Sequence, residues 1–164
     1  MQTSLVETDN QIDTLLAINA EIQRAHFPAI IGHDQTEYML RTRYTPDAIK
    51  KYMQAGEVFV LVRVDESDVG FFSYQLEKPK DRIQLCKIFL KEAARGHGVL
   101  RKAVNYIAAV GKENGVSSIF LTVNRNNADP IAAYKHIGFK VTGEKRFDIG
   151  EGYVMDDFIM SMNL

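Results

Sequence analysis

The chain has 164 residues and a mass of 18.6 kDa, which is the length of one domain with a sizeable apolar core. A net charge of -1 and a sequence pI of about 6.4 provide no basic surface, so we expect neither nucleic acid nor a membrane as a partner. The single cysteine, Cys86, forms no intrachain disulfide, and no cysteine or histidine has metal-ligand spacing, so no metal site is expected. Glu7 and Asp9 lie where a signal peptide would be basic and then apolar, which predicts a cytoplasmic protein.

The N-terminal residues predict one strand followed by one helix. Residues 4–7 form a short β-type run, and Asp9 or Asn10 can cap a helix. Beyond this cap, apolar residues recur at the three- and four-residue intervals of one helix face. Phe27-Pro28 interrupts the pattern, so we expect the helix to end near His26.

The next segment is mixed, and a second helix and three strands follow it. Residues 29–44 show no single period. Thr45-Pro46-Asp47 combines a cap, a proline at the first helical position and an acidic first turn, and Gly56 lies where this helix would stop. Three β-rich runs joined by turn segments then predict consecutive antiparallel strands. The runs are residues 58–64, 69–76 and 83–90.

The second half of the chain alternates helices with strands. An amphipathic helix follows Gly98 and stops at Gly115, the apolar run 118–123 has strand length, and Asp129-Pro130 begins another helix. Residues 140–162 predict a closing hairpin. The order β-α-α-β-β-β-α-β-α-β-β indicates an α/β (α+β) fold with a mixed, mostly antiparallel sheet and one parallel crossover. Without a repeat or linker, residues 1–164 are expected to form a single domain.

Residues 95–100, Arg95-Gly96-His97-Gly98-Val99-Leu100, form what we call the glycine loop. The lack of a Cβ at Gly96 and Gly98 lets the backbone approach a ligand, and the first amides of the following helix have no intrahelical acceptor. These amides and the helix dipole favour a phosphate or pyrophosphate. Taken alone, the glycines also fit an ordinary tight turn. A dinucleotide-binding fold is set aside, because its glycines follow the first strand of a parallel series. In this chain three predicted antiparallel strands precede the glycines.

The glycine loop resembles the acetyl-CoA pyrophosphate loop of the GNAT superfamily of N-acetyltransferases, Gln/Arg-x-x-Gly-x-Gly/Ala. A second segment, at residues 127–139, is similar to the family signature Asn-x-x-Ala-(apolar)-x-x-Tyr-x-x-x-Gly-Phe. Its matching residues are Asn127, Pro130, Ile131, Tyr134 and Gly138-Phe139. Residues 153–160 are like the family's closing strand, so the resemblance runs from about Val58 to Leu164.

The resemblance implies a GNAT-type fold with acetyl-CoA as co-substrate. It also implies a set of cofactor-binding residues: Ile88, Phe89, Leu90, Arg95, Gly96, His97, Gly98, Val99, Leu100 and Asn127. Arg101 is added because a basic side chain one turn beyond the loop can meet a phosphate. An exposed helix face is the alternative explanation of Arg101.

Tyr134 is the residue that the resemblance makes catalytic. The leaving thiol has a pKa of about 8.5, and a phenol with a pKa of about 10 within reach of the sulfur can give the thiolate its proton. Taken alone, Tyr134 also fits a core tyrosine on an amphipathic helix.

Two positions depart from the family pattern. Leu100 stands where a small residue is usual, and we expect its side chain to turn into the core. Gln84 stands where many members carry a glutamate as general base, and an amide takes up no proton at neutral pH. We therefore expect a water chain, polarised by Glu77 or Asp156, to remove the proton of the acceptor.

The resemblance leaves the acceptor open. Residues 26–44, with His26, His33, Glu37 and Tyr38, are expected to form a wall of the acceptor site, although each fits a surface loop equally well. The favoured function is direct transfer of acetyl to a small-molecule amine, as in bacterial polyamine and small-amine acetyltransferases. The alternatives are a peptide or ribosomal-protein N-terminal acetyltransferase and a non-catalytic acyl-CoA sensor. A homodimer is compatible with each of these functions.

Overall fold

A computed structural model describes residues 1–94 and 97–164, so Arg95 and Gly96 of the glycine loop lie outside the described residues. The strands are β1 (Gln2–Leu5), β2 (Glu57–Val64), β3 (Ser67–Glu77), β4 (Arg82–Leu90), β5 (Ser118–Asn124), β6 (Lys140–Gly150) and β7 (Tyr153–Asn163). The helices are α1 (Asp9–His26), α2 (Pro28–Ile31), α3 (His33–Arg43), α4 (Pro46–Gln54), α5 (Val99–Glu113) and α6 (Ala128–Ile137). Short 3-10 turns cover Lys78–Lys80 and Glu92–Ala94.

The strands form one sheet in the order β1-β2-β3-β4-β5-β7-β6. β4 and β5 are parallel, and their register runs from Arg82 opposite Ser118 to Leu85 opposite Leu121. The pairs β1–β2, β2–β3, β5–β7 and β6–β7 are antiparallel. The predicted mixed, mostly antiparallel sheet with one parallel crossover is therefore confirmed.

Helix α1 ends at His26 as predicted, but its cap differs from the prediction. The Thr8 hydroxyl accepts a hydrogen bond from the Gln11 amide at 3.3 Å, and the Gln11 side-chain oxygen accepts one from the Thr8 amide at 3.0 Å. This reciprocal capping box satisfies two amides at the helix start. Asp9 and Asn10, proposed as caps, therefore lie inside the helix.

Residues 28–43 form two helices where the sequence pattern indicated no element. Pro28 begins α2, and Gly32, with a φ of 85°, separates it from α3. Helix α3 buries Thr36 as well as residues 38–40. The Thr36 hydroxyl donates a 2.7 Å hydrogen bond to the Gly32 carbonyl, which allows a polar residue on the buried side. The buried side of α3 includes the polar Thr36, and its buried apolar residues, 38–40, are consecutive. The apolar residues alone therefore show no helical period and did not indicate this helix.

The contacts divide the chain into two compact units, Met1–Gln75 with Cys86–Ala103 and Leu76–Leu85 with Val104–Leu164. In the first unit, the apolar core packs α1 and α4 against β2 and β3. Leu15, Ile49, Phe59 and Phe71 are buried in this core. In the second unit, the Asp81 carboxylate accepts hydrogen bonds from the amide and the hydroxyl of Ser117, at 3.0 and 2.5 Å. These bonds link the chain segments that lead into β4 and β5.

None of the helices within residues 1–94 and 97–164 has the length and apolar content needed to cross a bilayer.

Candidate active site

The start of α5 carries the described part of the glycine loop. His97 and Gly98 are exposed, and the helix begins at Val99. Gly98 has a φ of 69°, a conformation that side chains rarely adopt, and a Cβ at this position would meet no atom within 4 Å. The backbone of Gly98 therefore borders open space, as a close approach to a ligand requires.

The first turn of α5 also carries the backbone amides of a helix start. The Lys102 amide donates a hydrogen bond to the Gly98 carbonyl at 3.0 Å, which begins the helical series. The first amides of a helix lie before this series and are available to a bound anion. Together with the helix dipole, they form an arrangement that fits the pyrophosphate of acetyl-CoA.

The side chains at this helix start divide into buried and exposed ones. Val99 is buried, whereas Leu100 is only partly buried. We expected the Leu100 side chain to turn into the core. The buried side chain at the helix start is instead that of its neighbour Val99. Arg101 is exposed. His97 and Lys102 line a cavity of about 330 Å³ in the first unit, so basic groups do lie at the helix start.

The end of β4 carries three predicted cofactor-binding residues, and Phe89 among them lies in an aromatic cluster. Its ring centroid is 5.4 Å from that of Phe71 and 6.1 Å from those of Phe27 and Tyr44. Phe71 lies on β3, Phe27 lies between α1 and α2, and Tyr44 lies in the segment between α3 and α4. We call Phe27, Tyr44, Phe71 and Phe89 the aromatic cluster. It holds the Phe89 side chain in place while the strand backbone continues through Ile88 and Leu90.

Gly70 on β3 allows a close backbone approach to this strand end. A Cβ at Gly70 would overlap the carbonyl oxygen of Phe89 and lie 2.8 Å from Leu90 Cδ2. The Lys91 amide donates a 2.8 Å hydrogen bond to the Val69 carbonyl beside it. The path of residues 88–90 therefore depends on the absence of a side chain at Gly70.

In the second unit, Asn127 and Tyr134 lie at the start of α6 and inside it. Asn127 is the N-cap residue that precedes the helix, and its carbonyl accepts the Ile131 amide at 3.2 Å. Its amide donates to the Asn124 carbonyl at 2.9 Å, so Asn127 also takes part in the turn after β5.

Tyr134 is 8% exposed, and its ring lies edge-on to that of Phe139. Burial raises the pKa of the phenol, and no hydrogen bond or charge from another described residue contributes to this rise. The phenol therefore keeps its proton throughout the neutral and mildly alkaline range. A group that must donate a proton requires this state.

The groups considered for proton removal have fixed partners. Gln84 lies opposite Phe120 in the parallel pair. The Glu77 carboxylate forms a 2.7 Å ion pair with Arg82, and the Asp156 carboxylate forms a 2.8 Å ion pair with Arg125.

The expected acceptor wall consists of helices, so the surface-loop interpretation of its residues is wrong. His26 ends α1, and its ring contacts that of Phe27 at a centroid distance of 5.3 Å. On α3, Glu37 forms an ion pair of 2.7 Å with Arg24 of α1. The hydrogen bond from Arg24 lowers the pKa of Glu37.

The sequence analysis missed a buried polar cluster in the first unit. Lys87 of β4 lies 2.6 Å from the Glu57 carboxylate of β2, and the Ser73 hydroxyl of β3 donates to the same oxygen at 2.5 Å. We call Glu57, Ser73 and Lys87 the buried ion-pair cluster. A signal for it existed in the sequence, because Lys87 is a lone charge inside the apolar run 83–90.

Comparison with known proteins agrees with the fold and the two motifs. The model of the Acetyltransferase (GNAT) family matches residues 20–139. The chain therefore belongs to the acetyltransferase (GNAT) family, which confirms the predicted family.

Individual relatives are distant. Human N-acetyltransferase 8 is 27% identical over 119 residues, which cover 68% of this chain and 52% of that protein. The chain thus spans about half the length of this relative. Peptidyl-lysine N-acetyltransferase YjaB from Escherichia coli K12 is 26% identical over 122 residues, covering 74% of this chain and 75% of that one. The PaiA N-acetyltransferase of Thermoplasma acidophilum, solved with coenzyme A, has the same fold, with a TM-score of 0.78, 18% identity and full coverage of both chains.

Proposed function

We propose that this protein transfers the acetyl group of acetyl-CoA to a primary amine by direct attack, with both substrates bound together. The observation that carries the proposal is the start of α5, where Gly98 borders open space and its carbonyl accepts the helical hydrogen bond from the Lys102 amide. The family membership supplies the matching ligand. Acetyl-CoA provides the activated acetyl group, and the residues of this chain bind and orient it.

The first unit supplies the binding groups for the donor. The amides at the start of α5 hold the pyrophosphate, and Arg101 lies where a further phosphate can be met. The backbone of Ile88, Phe89 and Leu90 aligns the pantetheine arm and stabilises negative charge on the thioester oxygen. The aromatic cluster and the close approach of Gly70 support this role, because they hold that stretch of backbone in one path.

Asn127 and Tyr134 are the two proposed residues of the second motif. Asn127 contacts the pantetheine arm, and Tyr134 gives its proton to the departing thiolate. Burial raises the pKa of Tyr134, which keeps the phenol protonated while the amine reacts and makes it a weaker acid, so its proton moves only as charge develops on the sulfur.

The acceptor must lose a proton before it attacks, because an alkylammonium has a pKa of about 10. Gln84 cannot take this proton, and Arg82 and Arg125 hold Glu77 and Asp156 in ion pairs. We infer that a water chain, polarised by Glu77 or Asp156, removes the proton.

The acceptor class is tested by release of coenzyme A. Purified protein and acetyl-CoA are incubated with polyamines, amino acids, aminoglycosides and lysine-containing or free N-terminal peptides, and free thiol is measured. We expect turnover with a small amine. Turnover confined to peptides would instead support a peptide acetyltransferase, which the similarity to the peptidyl-lysine enzyme favours as the second candidate.

The same assay, combined with measurement of Tm with and without acetyl-CoA, separates an enzyme from a sensor. A protein that acetyl-CoA stabilises against heat, but that releases no thiol with any amine, is an acyl-CoA sensor. A protein that shows neither response contradicts the proposed function. The cytoplasmic location, the single-domain organisation of residues 1–164 and the homodimer stay predictions.

A further inference from the structure

The buried ion-pair cluster places two charges in the apolar core of the first unit. Glu57 is 6% exposed, the Lys87 side chain is 13% exposed and Ser73 is fully buried. Removing two charges from water costs free energy that their attraction often fails to recover, so apolar residues of similar size are commonly as stable or more stable. Stability of the core therefore does not explain this cluster.

The cluster joins three neighbouring strands and one helix. Glu57 belongs to β2, Ser73 to β3 and Lys87 to β4, and both partners of Glu57 contact its Oε1 atom. The Lys87 ammonium also lies over the ring of Tyr52 on α4, 4.1 Å from its centroid. The position of Lys87 is therefore defined by charge, by a hydrogen-bonded network and by an aromatic face at once.

Lys87 directly precedes the backbone assigned to the acetyl donor. The next three residues are Ile88, Phe89 and Leu90, and the aromatic cluster holds the middle one. The described register between β4 and β5 covers only residues 82–85 of β4. On its other side β4 is hydrogen-bonded to β3. In addition to this pairing, the ion-pair cluster orients the Lys87 side chain, and the aromatic cluster orients that of Phe89 two residues later.

We propose that Lys87, held by Glu57 and Ser73, is a positioning residue that sets the backbone of residues 88–90 for acetyl transfer. This inference rests on the proposed function, because the assigned backbone is the one that aligns the thioester. A shift of about 1 Å in such groups can lower a rate by about 10²-fold while binding elsewhere is retained. The cluster thus acts on the reaction through the strand and touches neither substrate.

The principal test is the double variant E57L/K87M, which replaces the ion pair with apolar side chains of similar volume. It leaves no unpaired charge, and the only group that loses its partner within the cluster is the Ser73 hydroxyl, so we expect Tm to fall by no more than about ten degrees. We expect kcat to fall by about 10²-fold and the KM for acetyl-CoA to change by no more than about threefold, because the start of α5 is untouched. If the double variant folds with the expected Tm and its kcat is unchanged, the cluster is only structural.

A smaller change guards against a double variant that fails to fold. Ser73→Ala removes one hydroxyl and keeps both charges. We expect a lower kcat, by about fivefold, at nearly unchanged Tm and KM. An unchanged kcat in Ser73→Ala would also overturn the proposal.

Lys91→Met is the matched control. Lys91 forms an ion pair of 2.7 Å with Glu21 of α1, but Glu21 is 62% exposed. Removing this exposed pair at the same strand end should leave kcat unchanged. An equal loss of kcat in Lys91→Met would show that any lysine near the strand end has this effect and would refute a specific role for Lys87. If the unmutated protein itself releases no coenzyme A, it is the proposed function that fails, and this outcome is distinct from a failure of the role of Lys87.

Discussion

The ring of Phe139 lies edge-on to the ring of Tyr134, with 5.8 Å between the centroids and 65° between the planes. This contact is made by the aromatic ring of Tyr134, which phenylalanine also has. Replacing Tyr134 with phenylalanine therefore preserves the aromatic pair and removes only the proton donor.

We expect Tyr134→Phe to lower kcat by about 10²-fold, the size of a general-acid contribution, with acetyl-CoA affinity within a few-fold of its original value. Steady-state kinetics and calorimetric binding measure the two quantities. Tyr74→Phe is the control, since Tyr74 is also 8% exposed but lies on β3. Equal kcat values for Tyr134→Phe and the unmutated protein would return Tyr134 to a core-packing role.

Acetyl-CoA should stabilise the protein through the start of α5. A ligand that binds only the folded state adds about 2.7 kcal/mol at a hundredfold excess over Kd. Gly98→Val should abolish the rise in Tm, because its side chain would occupy the open space beside the loop. Gly115→Val at the other end of α5 is a matched control, with a φ of 74° and no atom within 4 Å of its Cβ. The proposal fails at this site if both variants respond to acetyl-CoA alike.

Substitutions at Gln84 test the route of the acceptor proton. If water carries the proton, Gln84→Ala should reduce the rate only mildly, and Gln84→Glu should raise it at neutral pH by adding a carboxylate. For the unmutated enzyme, kcat/KM should rise with pH toward about 8 to 9, with an apparent pKa that belongs to the amine and its relay together. A profile that is flat from about pH 6 to 9, or a loss beyond about 10³-fold in Gln84→Ala, would contradict a water relay.

Gly70→Ala should displace the end of β4 and lower both stability and activity. The added methyl group would meet the backbone of Phe89, which cannot move independently, so we expect a loss of about 1 to 3 kcal/mol in the free energy of unfolding. At Gly111 the nearest atom to a new Cβ is the side-chain carbon Leu164 Cδ1, at 2.5 Å. Gly111→Ala should therefore cost less, and denaturant unfolding of the two variants measures the difference. A smaller loss in Gly70→Ala would contradict the close backbone approach.

The buried tyrosines predict a loss of stability at high pH. Burial raises the pKa values of Tyr44 and Tyr134 above the value of about 10 for an exposed phenol. Below about pH 10 both folded and unfolded chains keep these protons, and above it only the folded chain does, so the free energy of unfolding falls as pH rises. Denaturant unfolding between about pH 8 and 11 measures this slope, which Tyr134→Phe should reduce by up to about 1.4 kcal/mol per pH unit. The same slope in both proteins would contradict the raised pKa of Tyr134.

The features that the sequence predicted are local ones. The start of α5 depends on Gly98 and the residues beside it, and Asn127 and Tyr134 belong to one continuous segment at the start of α6 and on it. Both motifs are continuous in the chain, so reading residues in order is enough to find them.

The buried ion-pair cluster, which the sequence did not predict, depends on distant partners. Ser73 and Lys87 follow their common partner Glu57 by 16 and 30 residues, so no local pattern connects them. Helix α3 escaped prediction for a different, local reason, since the burial of the polar Thr36 depends on its bond to the Gly32 carbonyl four residues earlier.

The burial of the Lys87–Glu57 pair also determines how the protein responds to ionic strength. Dissolved ions screen exposed pairs such as Lys50–Asp9, whose side chains are 46% and 80% exposed, but they have little access to a pair inside the core. Added salt therefore weakens the surface links between helices while the alignment of β4 persists. An assay in concentrated salt would report on donor and acceptor binding at the surface, with the internal geometry of the strand held constant.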